Sequence, residues 1–172
     1  MPRVALLMAA LAAATMSSAA APPRPAGCIA AEYRQLDFWL GDWDAFDSND
    51  LGTSIARTHV DRIAAGCAVH ELYEQTDGLI GDSILSFDGA RKGWQQTWVS
   101  NYGSLMVITG RFKDGALTLE GETHTGDGRS LLQRITWKAE GKGVRESSVM
   151  SKDGGKSWVP AFDVVFQRHP AG

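Results

Sequence analysis

Glu71 is the acidic residue whose sequence surroundings most suggest a chemical role. In a segment of alternating polarity it shares one face with Cys67, Val69 and Tyr73. If that face points inward, the carboxylate is buried and requires a partner, for which the candidates are Arg134 and Arg145. A buried carboxylate in a cavity marks a candidate functional site, but a structural ion pair gives the same pattern, and we weight the structural interpretation more heavily.

A second candidate is Gln96, which alternates with two tryptophans. Trp94, Gln96 and Trp98 are spaced two apart, so they share a face if the segment is a strand. Inside a barrel they would offer a ligand one amide between flat apolar walls. The alternative is that both indoles pack in the core and Gln96 bonds to backbone. The candidate ligand-binding residues are therefore Glu71, Tyr73, Trp94, Gln96, Trp98, Arg134 and Arg145.

The histidines do not have the spacing of a metal site. His59, His70, His124 and His169 lie far apart in the sequence, whereas two metal ligands on a strand need a spacing of two. His169 also has the opposite parity to Phe166, which argues against a haem ligand. Nucleophile-elbow, P-loop and Rossmann patterns are absent from the sequence. We therefore predict no metal and no cofactor, and assign no catalytic residue.

These side chains must be positioned by strands, because turn signals recur at short intervals after Gly41. Between the turns lie about ten segments rich in β-branched and aromatic residues, from residue 42 to residue 168. No later segment resembles a crossover helix, so the sheet should be antiparallel. Hairpin-length connections favour an up-and-down barrel preceded by a short N-terminal helix, with a β-sandwich as the alternative.

Composition indicates one globular domain. The chain has 172 residues, of which 44% are hydrophobic and 22% charged. Its 17 basic and 20 acidic residues give a net charge of -3, so we expect no nucleic-acid partner. The composition indicates no particular protein partner.

The first twenty residues are predicted to be a secretory signal peptide. Arg3 supplies a positive start, residues 4–14 form an apolar run, and Ser18-Ala19-Ala20 fits a cleavage site. The run is too short to span a bilayer, and no second candidate span follows. We therefore predict export to the periplasm or the extracellular space, a tether at residues 21–29 and one barrel domain at residues 30–169.

Cys28 and Cys67 are the two cysteines of the chain. A single pair in an exported protein predicts one disulfide. Neither cysteine belongs to a C-x-x-C pair, so a redox or zinc role has no support.

Residues 36–44, Leu-Asp-Phe-Trp-Leu-Gly-Asp-Trp-Asp, resemble the F-D-F-W-x-G-x-W-D opening of a bacterial family of exported, uncharacterised lipocalin-like proteins. Further matching pieces follow in order, among them Gly66-Cys67, Trp98-Val99 and Phe166-Gln167-Arg168. The sequence departs at Leu36, where the family has an aromatic residue. The resemblance covers nearly the whole mature chain and implies a lipocalin-like barrel. It implies no activity, since the family has no settled function.

Gly41-Asp42-Trp43 also resembles the lipocalin G-x-W motif. In lipocalins this tryptophan closes one end of the barrel beneath a basic residue of the last strand. Arg168 stands in the matching place, which implies a structural motif that includes Trp39, Gly41, Trp43 and Arg168.

Residues 151–158 resemble the Asp-box of sialidase propellers, S-x-D-x-G-x-[ST]-W. Asp153 would accept hydrogen bonds from amides of its own loop, and Trp158 would anchor the hairpin. Since one copy builds no propeller, we interpret this motif as a structural hairpin rather than a glycan site.

The leading hypothesis is a non-enzymatic periplasmic or secreted protein that binds a small apolar or amphipathic molecule in its barrel. One alternative is a hydrolase or isomerase in which Glu71 acts with an arginine of the same cavity. Another is an interaction domain whose barrel is filled with side chains. A cavity of about 300 Å³ or more would separate the first two hypotheses from the third.

Overall fold

Ten antiparallel strands close into a barrel in the computed structural model, which describes residues 28–170. Each strand pairs with the next one along the chain, and β1 pairs with β10 to complete the ring. The antiparallel barrel predicted from the turn spacing is confirmed, and the β-sandwich alternative is wrong. The predicted signal peptide and most of the predicted tether lie outside the described residues. The strands are β1 Gly41–Asp47, β2 Asp50–Ile63, β3 Ala68–Gln75, β4 Ile80–Asp88, β5 Gly93–Ser100, β6 Leu105–Lys113, β7 Ala116–His124, β8 Ser130–Glu140, β9 Gly143–Ser151 and β10 Val159–Arg168.

Alternation along each strand decides which side chains face the barrel interior. On β7, Leu117 and Leu119 are buried, while Thr118 and Glu120, which alternate with them, are more accessible. The same period of two buries Ile108 on β6 and Ile135 on β8. The interior therefore holds both the apolar core and any site that the barrel contains.

The N-terminal segment plugs one end of the barrel. The predicted short helix is present as two 3₁₀ turns, Ala31–Arg34 and Asp37–Trp39. Side chains three residues apart eclipse in a 3₁₀ turn, and Leu36 and Trp39 are both fully buried in the core. The Trp39 ring contacts Phe166 at a centroid distance of 4.5 Å. This end of the barrel is therefore filled with side chains.

Arg168 covers the same end from the last strand. Its guanidinium lies 3.8 Å from the centroid of the buried Trp43 ring and donates a hydrogen bond of 2.6 Å to the carbonyl of Leu40. Gly41 has a φ of +124°, and a Cβ there would overlap the arginine, so this position requires glycine. The structure thus gives Gly41, Trp43 and Arg168 the arrangement that the lipocalin resemblance implies.

Arg168→Ala is expected to lower the free energy of unfolding by about 1–2 kcal/mol, because it removes a cation–π contact and the packing of the arginine stem. The control is Arg111→Ala, since Arg111 is exposed on β6. Urea unfolding monitored by circular dichroism measures both variants. Equal stabilities for the two variants would contradict the contribution assigned to Arg168.

The predicted disulfide between Cys28 and Cys67 is present, with the two Cα atoms 4.8 Å apart. It joins the start of the plug to the connection between β2 and β3. The Arg34 side chain donates hydrogen bonds to the carbonyls of Cys28 (2.5 Å) and Gly66 (3.0 Å), which fixes the same junction. Among the described residues, none of the helical segments has the length and apolar character needed to span a bilayer.

Candidate functional site in the barrel interior

A cavity of about 630 Å³ occupies the barrel on the side away from the Trp39 plug. Its lining reaches the hairpin ends at Leu79, Ser104 and Thr125, and it includes the exposed His124, so the cavity opens at that end of the barrel. The wall area is mainly apolar. Polar side chains make up about half of the lining residues, and the polar residues away from the rim include Glu71, Gln96, Gln133 and Glu146.

Glu71 projects from β3 into this cavity and is only 3% exposed. The hydroxyl of Ser83, on the neighbouring strand β4, donates a hydrogen bond of 3.0 Å to its Oε2 atom. Burial raises the pKa of Glu71 to about 7, although the Ser83 hydrogen bond and the nearby His70 favour the charged form. This carboxyl is therefore protonated at a much higher pH than an exposed glutamate.

Glu146 is a second carboxyl that lines the cavity, half-buried on β9, and the sequence analysis did not identify it. It alternates with Val144 and Ser148 on β9, which places it inside the barrel and Arg145 outside. Burial raises the pKa of Glu146 well above its usual value, and the charge of Glu71 adds to the increase. Ionisation of either carboxyl therefore opposes ionisation of the other.

The Trp137 indole N–H, opposite Glu146 on β8, favours the charged form of that carboxyl. Its Nε1 atom is nevertheless buried without a hydrogen bond of good geometry to any described residue. Trp137 therefore lowers the pKa of Glu146 only weakly, and burial and the charge of Glu71 have the larger effect on that pKa.

Gln96, Trp98 and Tyr73 line the same cavity. Gln96 is 2% exposed, and its Oε1 atom has no hydrogen-bond donor among the described residues. The rings of Tyr73 and Trp98 meet edge to face at a centroid distance of 6.2 Å. Burial raises the pKa of Tyr73, so its hydroxyl stays protonated. The structure thus brings together four of the sequence-predicted site residues, which are Glu71, Tyr73, Gln96 and Trp98.

Gly81 provides the space for the Trp98 indole, because a Cβ at this position would overlap the ring. Gly81→Ala is therefore expected to displace Trp98, lower the free energy of unfolding by about 1–3 kcal/mol and change the tryptophan emission spectrum. The control is Gly126→Ala, since a Cβ at Gly126 meets only open space. Urea unfolding followed by fluorescence tests this, and two variants of equal stability and emission would show that Trp98 does not depend on Gly81.

The prediction that Arg134 or Arg145 pairs with Glu71 is wrong. Arg134 lies on the outer face of β8 and donates a 2.8 Å hydrogen bond to Glu120 of β7. Arg145 lies on the outer face of β9 and binds Asp163 through its Nε atom at 2.8 Å. Both arginines find carboxylates directly across the sheet, which costs less than burying a guanidinium inside the barrel.

Trp94 is also placed differently from its sequence-based assignment to a ligand site. It points into the barrel but lies at the plugged end, where its indole N–H donates a 2.8 Å hydrogen bond to the Gln35 side chain. Its ring packs against Phe87 at a centroid distance of 5.7 Å. Trp94 is therefore a core residue, as the alternative interpretation of this segment stated.

The Asp-box-like hairpin has the geometry of a structural turn. Asp153 accepts hydrogen bonds from the amides of Lys156 (3.0 Å) and Ser157 (2.9 Å), and from the Ser157 hydroxyl at 2.5 Å. These bonds lower the pKa of Asp153 to about 2. Arg134 stacks over Trp158 at 4.1 Å, which attaches the hairpin to the outer face of the barrel.

The histidines of the described chain lie beside acidic side chains. His70 contacts Asp61 and Asp82 on the outer face, and His169 contacts Asp44. Within residues 28–170, no group of three or more histidine, cysteine, aspartate or glutamate side chains is arranged to hold a metal ion.

No protein-family model matches the sequence, and a search of curated proteins finds no relative. The resemblance of residues 36–44 to exported lipocalin-like proteins therefore stays a prediction.

Proposed function

We propose that this protein is an exported binder of a small, partly apolar molecule, which it holds inside the barrel. The observation that carries the proposal is the cavity of about 630 Å³, whose wall area is mainly apolar and whose lining includes the buried polar side chains of Glu71 and Gln96. Small-molecule sites usually have this character and a volume of about 300–1,000 Å³.

The other two hypotheses have less support. A filled barrel does not fit a cavity of about 630 Å³. A hydrolase or isomerase that uses Glu71 with an arginine lacks the arginine, because Arg134 and Arg145 bind acids on the outer face. We therefore favour binding over catalysis.

Export is part of the proposal. The Cys28–Cys67 disulfide supports it, because such bonds persist mainly in oxidising compartments. The predicted signal peptide at residues 1–20 supports it as well. We propose the periplasm or the extracellular space as the location, and we propose membership of the exported lipocalin-like family on the strength of residues 36–44.

Titration with N-phenyl-1-naphthylamine, a neutral apolar dye, tests the proposal. The dye is expected to bind at one equivalent and to quench tryptophan emission, because Trp98 lines the cavity. Trp98→Phe should weaken that quenching. The matched control is Trp158→Phe, since Trp158 stacks under Arg134 on the outer face, and this variant should retain the quenching. An absence of dye binding, or equal loss of quenching in both variants, would refute binding inside the barrel.

A further inference from the structure

We infer that the ligand carries a protonated amine, which Glu71, Glu146 and the amide oxygen of Gln96 bind together as hydrogen-bond acceptors. This inference rests on the proposed function and adds to it the chemical class of the ligand. It depends on three features of the cavity, which are its unused acceptors, its charge and its aromatic walls.

The first feature is an excess of acceptors. Gln96 is almost fully buried and lines the cavity, yet no described donor reaches its Oε1 atom. An ionised carboxylate can only accept hydrogen bonds, and Glu71 receives one from Ser83. Buried acceptors without donors are costly, so a ligand that brings several N–H groups is favoured. An alkylammonium group brings three.

The second feature is the absence of a compensating cation. Among the described residues that line the cavity there is no lysine or arginine. The basic residue in the lining is His124 at the rim, whose imidazole lies 3.5 Å from Glu122. Two carboxyls thus share one enclosure without a positive charge from the protein, so burial favours their neutral forms, and both can ionise there only beside a cation from outside. A cationic ligand supplies that partner.

The third feature is the aromatic wall. Tyr73, Trp98 and Phe166 line the cavity together with the two carboxyls. The faces of aromatic rings attract ammonium groups, and the same rings bury an apolar body attached to the amine. The expected ligand is therefore an amphipathic amine rather than a bare inorganic cation.

Binding of such an amine should also release protons near neutral pH. Burial raises the pKa of Glu71 to about 7, and the ammonium favours the ionised forms of both carboxyls. Tyr73 lies inside the barrel with the pair, and Asp47, Asp163 and the rim residue His124 also line the cavity. His70 and Asp82 act on Glu71 from the outer faces of β3 and β4. Tyr73 stays neutral, so the released protons come from the carboxyls.

Three probes that share one apolar body test the inference: 4-phenylbutylamine, 4-phenylbutan-1-ol and 4-phenylbutyrate. In isothermal titration calorimetry at pH 7.5, the amine is expected to bind at least tenfold more tightly than the alcohol, and the carboxylate more weakly than both. The amine enthalpy should change with the ionisation enthalpy of the buffer, as proton release requires. The binding enthalpy of the alcohol should not depend on the buffer.

In the double variant Glu71→Gln with Glu146→Gln, the preference for the amine over the alcohol should fall to about one. Gln96→Met should reduce the preference without abolishing it. Glu74→Gln is the control, because Glu74 lies on β3 but is exposed on the outer face, and it should keep the full preference. Near-ultraviolet circular dichroism establishes that each variant is folded.

The outcomes separate the inference from the proposed function. If the alcohol binds and the amine binds no better, the amine assignment is wrong and binding of an apolar molecule stands. If none of the three probes nor the naphthylamine dye binds, the proposed function itself is wrong. If Glu74→Gln loses the preference as fully as the double variant, the amine is attracted by net charge and not held by the cavity carboxyls.

Discussion

Glu71→Gln is expected to raise the free energy of unfolding at pH 8 by about 3 kcal/mol. Glu71 has a pKa of about 7 in the folded protein, against 4.5 for an unperturbed glutamate. Each unit of pKa difference corresponds to about 1.4 kcal/mol between the two protonation states. Ionising this buried carboxyl therefore destabilises the native state at alkaline pH, and glutamine removes the charge while keeping an acceptor for Ser83.

The direction of the pH dependence follows from proton linkage. Between pH 4.5 and about 7 the folded protein binds more protons at Glu71 than the unfolded chain does. The contribution of Glu71 to stability is therefore fully present below pH 4.5, falls as the pH rises and is lost above about pH 7. Glu146 acts in the same direction, because burial and Glu71 raise its pKa too.

Urea unfolding of wild type and Glu71→Gln at pH 4.5, 6 and 8 measures this difference. The two proteins should have similar stability at pH 4.5 and diverge towards pH 8. The exposed Glu74→Gln on the same strand should follow the wild type throughout. A wild type that becomes more stable relative to Glu71→Gln as the pH rises would mean that Glu71 is stabilised in its charged form.

Removing the disulfide should have the other large effect. The Cys28→Ser, Cys67→Ser double variant is expected to have a free energy of unfolding about 3–4 kcal/mol lower than the wild type. The bond joins two residues with a sequence separation of 39 and thereby restricts the unfolded chain. Cys67 also follows the Ala64–Gly66 turn that Arg34 contacts through the Gly66 carbonyl. The plug is therefore expected to detach more readily in this variant.

Thermal unfolding and hydrogen exchange test that expectation. Reduction of the wild-type protein with dithiothreitol should reproduce the loss seen in the double variant. In the double variant, the amides near Leu36 and Trp39, whose side chains fill the plugged end, should exchange faster than the amides of the barrel strands. If the double variant unfolds at the wild-type temperature, the disulfide does not hold the plug.

The barrel could be predicted from sequence because its signals are local. Turn residues and alternation of polarity repeat along the chain, and an antiparallel meander needs little else. The structure of the plug was harder to predict from the sequence. Leu36 and Trp39 lie in two 3₁₀ turns and not in one helix, since what matters there is filling the end of the barrel rather than helix propensity.

The site could be predicted only in part. Alternation placed Glu71 and Gln96 among apolar neighbours, and the structure puts both in the cavity. It could not assign partners, because the pairing of Arg134 with Glu120 depends on the register between β7 and β8. Glu146 had a signal of its own, its parity with Val144 on β9.

The most direct test of binding inside the barrel is the position of a bound molecule. A crystal structure with 4-(4-bromophenyl)butylamine would locate the ligand through the anomalous signal of its bromine atom. We expect the bromine inside the barrel near Trp98 and Phe162, with the amine towards Glu71. A signal confined to the exposed outer face at Ile84 and Val107, with the cavity unchanged, would contradict the account.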